Sequence, residues 1–187
     1  MELFDIIRSA GSGEIVRTLA AEAGLGPQEA EQALRALLPE LGRAIRRAGE
    51  SRSGAAAVHA AMHDERYARY LEDPAALRDA AAVADGERVV LEVLDDRERS
   101  ELARRVAAAI GPDEGHVRKL LPLVAALAMA ALGRRLREPS PEATSSASPS
   151  PEIPWFGTHP QDRFDEPLVN ALAHLFGTDE DQPPKGR

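Results

Sequence analysis

One stretch, residues 117–136 (VRKLLPLVAALAMAALGRRL), constrains the fold more than any other part of the chain. It has no charged residue between Lys119 and Arg134, and apolar residues lie on every side of its helical projection. A helix that is hydrophobic all round is buried in a protein core or in a membrane. The uninterrupted apolar run is about 14 residues long, shorter than the roughly 20 residues that a transmembrane helix needs. The stretch therefore predicts the buried central helix of an all-α domain, and no membrane span.

Composition narrows the classes of function. Hydrophobic residues make up 43% of the chain but aromatic residues only 4%, so alanine and leucine must form most of the core. A net charge of −8 argues against binding to duplex nucleic acid or to an anionic lipid surface. No cysteine is present, which excludes disulfides and thiolate sites. The first residues, MELFDIIRSAGSG, lack the basic start and long apolar core of a secretory signal, so a cytoplasmic location is predicted.

Shorter amphipathic helices are predicted around the central one. Gly24 is typical of a left-handed cap at a helix end, and Pro27 of the first turn of the next helix. Asp85-Gly86 is a turn signal, and the apolar run after it is predicted as a short helix because no partner strand exists. The expected helices cover residues 2–8, 14–23, 27–47, 55–70, 74–84, 87–94 and 96–109.

Two segments form an internal repeat: IVRTLAAEAGLGPQEAEQALRALLPEL and LARRVAAAIGPDEGHVRKLLPLV. Each has a helix, a Gly-Pro restart and a second helix that contains Leu-Leu-Pro, with Pro39 in one and Pro122 in the other. The repeat predicts two pseudo-equivalent helical hairpins that pack face to face.

The composition changes after Arg137, which divides the chain into three parts. We expect a helical domain over 1–137, a disordered Pro/Ser-rich linker over 138–153, and a tail over 154–187. The tail holds two apolar features that are predicted to bind a protein partner or a second copy of the chain. They are the pair Trp155 and Phe156, and a short amphipathic face formed by Leu168, Leu172, Leu175 and Phe176. Folding back onto the domain is an equally open interpretation.

Several short motifs in a fixed order resemble the YidB-like bacterial family, the domain of unknown function numbered nine-three-seven. They are MELFDII at the start, GLGPQEAEQALRALLP, MHDERYARYLEDP at 62–74, ADGE at 84–87 and LLPLVAALAMAALG at 120–133. The resemblance covers roughly residues 1–136 and implies a helical bundle with one central helix. It implies no activity, cofactor or catalytic residue. Relatives usually carry Gly after the ADGE…VL run, where this chain has Asp95.

His59 and His63 are four residues apart, a spacing that can place two zinc ligands on one helix face. A catalytic zinc helix has Glu directly after the first histidine, where this chain has Ala60. Asp64 and Glu65 could add oxygen ligands, but neighbouring acidic residues are common on protein surfaces. A solvated or capping role is therefore favoured, and no metal or cofactor is predicted.

The first hairpin also resembles a helix-turn-helix by pattern. The second helix of such a motif enters the major groove and needs positive charge, whereas this one opens with Gln28, Glu29 and Glu31. An ordinary αα-hairpin is therefore favoured.

Tyr67 and Tyr70, followed by Asp73-Pro74, form the densest polar and aromatic cluster. The cluster is either a partner-binding surface or the edge of the core, where Asp73 caps the next helix. The sequence favours a non-catalytic scaffold or protein-interaction module that self-associates. The alternatives are a small metal-assisted or hydrolytic enzyme that uses the His59 to Glu65 region, and a helix-turn-helix regulator.

Overall fold

A computed structural model of the protein describes residues 3–111 and 113–137. This part of the chain is all-α, as predicted, with eight α-helices, two short 3₁₀ helices and no strand. The predicted linker at 138–153 and tail at 154–187 lie outside the described residues. The helices are α1 (Leu3–Ser9), α2 (Glu14–Ala23), α3 (Pro27–Gly49), α4 (Arg52–His63), α5 (Glu65–Glu72), α6 (Ala80–Val93), α7 (Asp96–Ile110) and α8 (Glu114–Arg137), and the 3₁₀ helices are Ala10–Gly13 and Pro74–Arg78.

Helix α8 is the central helix that the sequence predicts. Val117 and every residue from 120 to 133 are buried, because α1 to α7 all supply residues that pack around α8 or around its neighbours. By length and composition alone α8 could cross a membrane, but 78% of its apolar window is buried inside the protein. Other helices of the protein therefore contact the apolar residues on every side of α8.

The surrounding helices bury the stripes that their periodicity predicts. In α3 the apolar residues recur three and four positions apart, and the residues on the face that this spacing forms are buried. These are Ala30, Ala33, Leu34, Leu37, Leu38, Leu41 and Ile45. Gly24 ends α2 with a left-handed φ of 72°, where a side chain would be strained. Pro27 occupies the first turn of α3, as predicted.

The two segments of the internal repeat fold as the hairpins α2–α3 and α7–α8. The first helix of each ends at a glycine with left-handed φ, Gly24 at 72° and Gly111 at 93°. The second helix of each contains its proline, Pro39 in α3 and Pro122 in α8. The equivalence of the two hairpins and their packing face to face stay predictions.

The single helix predicted over 55–70 is wrong, because the chain breaks at Asp64. The backbone of Asp64 is extended, and its carboxylate accepts a hydrogen bond from the backbone N–H of Arg66. An aspartate that caps a new helix in this way satisfies an N–H that lacks a partner within the helix. Asp64 therefore separates α4 from α5.

The turn predicted at Asp85-Gly86 is also wrong, since both residues are buried inside α6. A Cβ built on Gly86 would overlap the carbonyl oxygen of Pro122 in α8. Glycine is required at this position for the close packing of α6 on α8, not for a turn. The short helix predicted over 87–94 is helical in the structure, but as part of this longer helix.

Asp95 is the N-cap of α7. Its carboxylate accepts a hydrogen bond from the N–H of Glu98 at 2.7 Å, and the Glu98 carboxylate accepts one from the N–H of Asp95 at 3.1 Å. This reciprocal capping box fixes the start of the helix.

We expect Gly86→Ala to lower the free energy of unfolding by roughly 3 kcal/mol, because the added methyl group forces two helix backbones apart. Urea denaturation of the full chain measures this change. Gly49→Ala is the matched control, since a Cβ there meets no atom of the described residues; it should change stability by about 0.5 kcal/mol or less. Equal effects of the two substitutions would contradict the close approach of α6 to α8.

Candidate functional site

A groove lies between α4 and α6, with the start of α5 at one end and α8 beneath it. Its volume is about 250 Å³. We call it the α4–α6 groove. The side chains that line it are mostly apolar along the walls and floor and charged at the rim. They are Ala57, Val58, Ala60, Ala61, Tyr67, Val89, Val93 and Met129, with Asp64, Arg66, Arg88 and Glu92 at the rim.

Small side chains on α4 leave the space for this groove. Ala57, Ala60 and Ala61 are three and four positions apart, which places them on one face of the helix. They are half-buried or exposed, whereas Val58 beside them is buried in the core. Because these alanine side chains are short, they leave the space between α4 and α6 unfilled at the surface.

A buried carboxylate lies behind the groove. Asp85 is only 5% exposed, and its Oδ2 accepts a hydrogen bond of 2.7 Å from the hydroxyl of Tyr70. The hydroxyl of Tyr67 donates to the backbone carbonyl of Asp85 at 3.2 Å. A buried carboxylate without hydrogen-bond partners destabilises the folded state. The hydrogen bonds from these two tyrosines therefore stabilise Asp85 in the buried position that the packing of α6 gives it.

Two rim arginines complete the environment of Asp85. The Nη1 atoms of Arg66 and Arg88 lie 3.7 and 3.8 Å from its Oδ1. Both guanidinium side chains stay open to solvent, at 55% and 58% exposure. Arg66 is also paired with Asp64 at the rim, at 2.6 Å, whereas the ion pair of Arg88 is the longer one to the buried Asp85.

Burial raises the pKa of the Tyr70 hydroxyl above its usual value; a hydrogen bond from Arg69 opposes this shift and the one to Asp85 adds to it. Burial likewise raises the pKa of Tyr67, and the negative charge of Asp85 adds to the effect. Both hydroxyls therefore remain neutral hydrogen-bond donors at neutral pH. At Asp64 the opposite holds, because hydrogen bonds from Arg66 lower the pKa of that carboxyl.

The candidate metal ligands lie beside the groove but do not converge. His59 and His63 are exposed, with ring centroids 4.3 Å apart and planes tilted by 43°. The Asp64 carboxylate is bound by the guanidinium of Arg66, with a shortest N–O distance of 2.6 Å. Within residues 3–111 and 113–137, no group of three or more metal-ligating side chains comes together.

The predicted partner-binding residues divide into two sets. Tyr67 and Tyr70 are 3% and 0% exposed, so the alternative interpretation, in which they close the edge of the core, describes their position. Tyr67 lines the α4–α6 groove and Tyr70 does not; binding of a partner by these two residues stays a prediction. The other six, Trp155, Phe156, Leu168, Leu172, Leu175 and Phe176, lie outside the described residues.

The sequence does not identify Asp85, Arg66 and Arg88 as members of one cluster. A signal was present, because Asp85 and Arg88 are three residues apart, a spacing that brings side chains together on a helix. The Asp-Gly pair obscures this signal, because such a pair by itself predicts a turn. The approach of Arg66 from α5 depends on tertiary packing and has no local signal.

The model of a bacterial protein family of unknown function, DUF937, matches residues 5–135 of the chain. The chain belongs to this family, which agrees with the YidB-like resemblance of its motifs. No curated protein and no solved structure matches it. The match extends across all eight helices of the described domain, so the α4–α6 groove lies within the family's part of the chain.

We expect Tyr70→Phe to lower the free energy of unfolding by about 1–3 kcal/mol at neutral pH, because Asp85 loses its short hydrogen bond while it stays buried. The pH dependence should also change. A tyrosine whose pKa is raised by folding contributes stability that is present below the pKa of the unfolded chain, about 10, and is lost as the pH rises through the folded pKa. The difference between wild type and variant should therefore narrow above about pH 10.

Urea denaturation across this pH range measures both effects. Tyr67→Phe is the control, since its hydroxyl binds a backbone carbonyl and should cost about 1 kcal/mol. A Tyr70→Phe variant as stable as wild type at neutral pH would contradict the role of this hydrogen bond.

Proposed function

We propose that this member of the DUF937 family is a non-catalytic protein-interaction module that self-associates, with the α4–α6 groove as its contact surface. One observation carries the proposal: an apolar groove open at the surface, with two exposed guanidiniums at its rim. The larger apolar side chains of the groove, such as Val58 and Met129, are themselves almost fully buried. The apolar surface open to a partner is therefore formed mainly by the alanines of α4, next to the charged rim.

The size of the groove favours a protein segment over a small molecule. Small-molecule pockets usually enclose about 300–1,000 Å³, whereas this one holds about 250 Å³ and is open along one side. Such a groove suits a few apolar side chains presented by a helix, which is a common mode of peptide recognition.

The chemistry of the rim agrees with a protein partner. Arginine is enriched at the centres of protein interfaces, because its planar guanidinium binds carboxylates with two parallel hydrogen bonds. Arg88 has only the long ion pair to Asp85 among the described residues, which leaves its N–H groups for an incoming carboxylate. We therefore expect the bound segment to be apolar along one face and acidic near its ends.

The enzyme alternative has weaker support from the same region. It would need His59 and His63 to bind a metal together with Asp64 or Glu65. The Asp64 carboxylate is bound by Arg66 and also caps α5, so recruiting it would break the start of that helix. The observations favour binding through the apolar groove over chemistry at its exposed end.

We expect Ala57→Glu to abolish self-association of the full chain, because it places a charged side chain in the apolar groove. Ala56→Glu is the matched control: it adds the same charge to the same helix at an exposed position outside the groove. Light scattering on a sizing column at two concentrations measures the mass of each protein.

Wild type and Ala56→Glu should form the same oligomer, and Ala57→Glu should be a monomer with an unchanged melting temperature. A wild-type chain that is monomeric at both concentrations would overturn self-association. An oligomer that survives Ala57→Glu would remove the groove from it.

A further inference from the structure

We infer that the α4–α6 groove is the docking site for the C-terminal segment of this chain, residues 162–181. This inference rests on the proposed function and names the segment that the groove receives. It combines the shape and charge of the groove with the sequence and the starting point of the chain beyond Arg137.

The segment has the pattern that a helix-binding groove selects. Leu168, Leu172, Leu175 and Phe176 recur at i, i+4, i+7 and i+8, the spacing of anchors along one face of a bound helix. No charged side chain interrupts residues 167–177. The pair Trp155 and Phe156 offers one anchor point without this spacing, which makes it the weaker match to a groove that runs between two helices.

Acidic residues flank the apolar face of the segment, and the rim of the groove carries two exposed guanidinium groups beside the carboxylates of Asp64 and Glu92. Asp162, Asp165 and Glu166 precede the apolar face, and Asp179, Glu180 and Asp181 follow it. The exposed guanidinium of Arg88 can receive a carboxylate at the edge of the groove, whereas that of Arg66 already binds Asp64.

The chain continues from a point close to the groove. Met129 of α8 lines the floor, and α8 ends eight residues later at Arg137, a distance of about 12 Å along a helix. The 24 residues between Arg137 and the segment (138–161) can span up to roughly 80 Å. A tether of this kind keeps the segment near the groove at an effective concentration that can reach about the millimolar range.

The absence of cysteine from the chain allows a direct test in the full-length protein. We would place one cysteine in the groove and one in the segment, as Ala57→Cys with Ala171→Cys, and oxidise mildly. Ala171 lies three residues after Leu168 and four before Leu175, so it shares their face. The matched control pairs Ala171→Cys with Ala56→Cys, which lies on the same helix outside the groove.

We expect the groove pair to form a disulfide in roughly tenfold higher yield than the control pair, equivalent to about 1.4 kcal/mol of preference. Adding Leu172→Asp to the groove pair should reduce its yield to that of the control. Leu172 lies beyond residues 3–137, so the substitution leaves the sequence of the helical domain unchanged. Equal yields from the two pairs, or a yield that Leu172→Asp leaves unchanged, would overturn the assignment.

The mass of the product separates this inference from the proposed function. A disulfide supports docking of the segment whether it forms within one chain or between two chains. If the disulfide forms while light scattering finds only monomers, self-association is wrong and the segment assignment stands. If the oligomer depends on Ala57 while both cysteine pairs react equally, the groove still binds a second copy and the segment assignment is wrong.

Discussion

The structure depends on the close approach of α6 to α8 at Gly86, where the missing side chain lets the helix rest against the Pro122 carbonyl. A second contact of the same kind joins Gly133 of α8 to the carbonyl of Met62 in α4. A core with so few aromatic residues gains its dispersion energy from many short contacts between small side chains. The two glycines allow those contacts by bringing three helix backbones together, and the buried alanines of α8 fill the remaining space.

The candidate site follows from this packing. Because Asp85 precedes Gly86, the contact of α6 with α8 also places a carboxylate in the interior, where it accepts a hydrogen bond from the Tyr70 hydroxyl. The Tyr67 hydroxyl donates to the backbone carbonyl of the same residue. Arg66 and Arg88 balance its charge from the surface. Neither glycine contact joins α4 directly to α6, and the short alanine side chains of α4 leave the α4–α6 groove between these two helices at the surface. The positions of glycine and alanine therefore determine both the packing of these helices and the shape of the groove.

Much of the fold could be predicted because its signals are local. The uniform hydrophobicity of residues 117–136 identified the buried helix, and the spacing of Leu34, Leu37 and Leu41 identified the inward face of α3. The break at Asp64 was missed although an aspartate cap is a local signal, because apolar residues recur three and four positions apart on both sides of it. The turn predicted at Asp85-Gly86 is wrong for a different reason. The turn propensity of this pair is local, whereas the contact with Pro122 that requires glycine is a tertiary contact. The groove could not be predicted at all, since it is defined by distances between helices.

In this account the neighbouring helices bury α8, and the groove above Met129 binds the segment 162–181. Hydrogen exchange on the full chain, compared with a chain that ends at Arg137, tests it most directly. We predict faster exchange after truncation in α4 and α6 along the groove, with the slow exchange of α8 unchanged as proof that the domain stays folded. No change along the groove, or an equal increase across α1 to α3, would contradict this account.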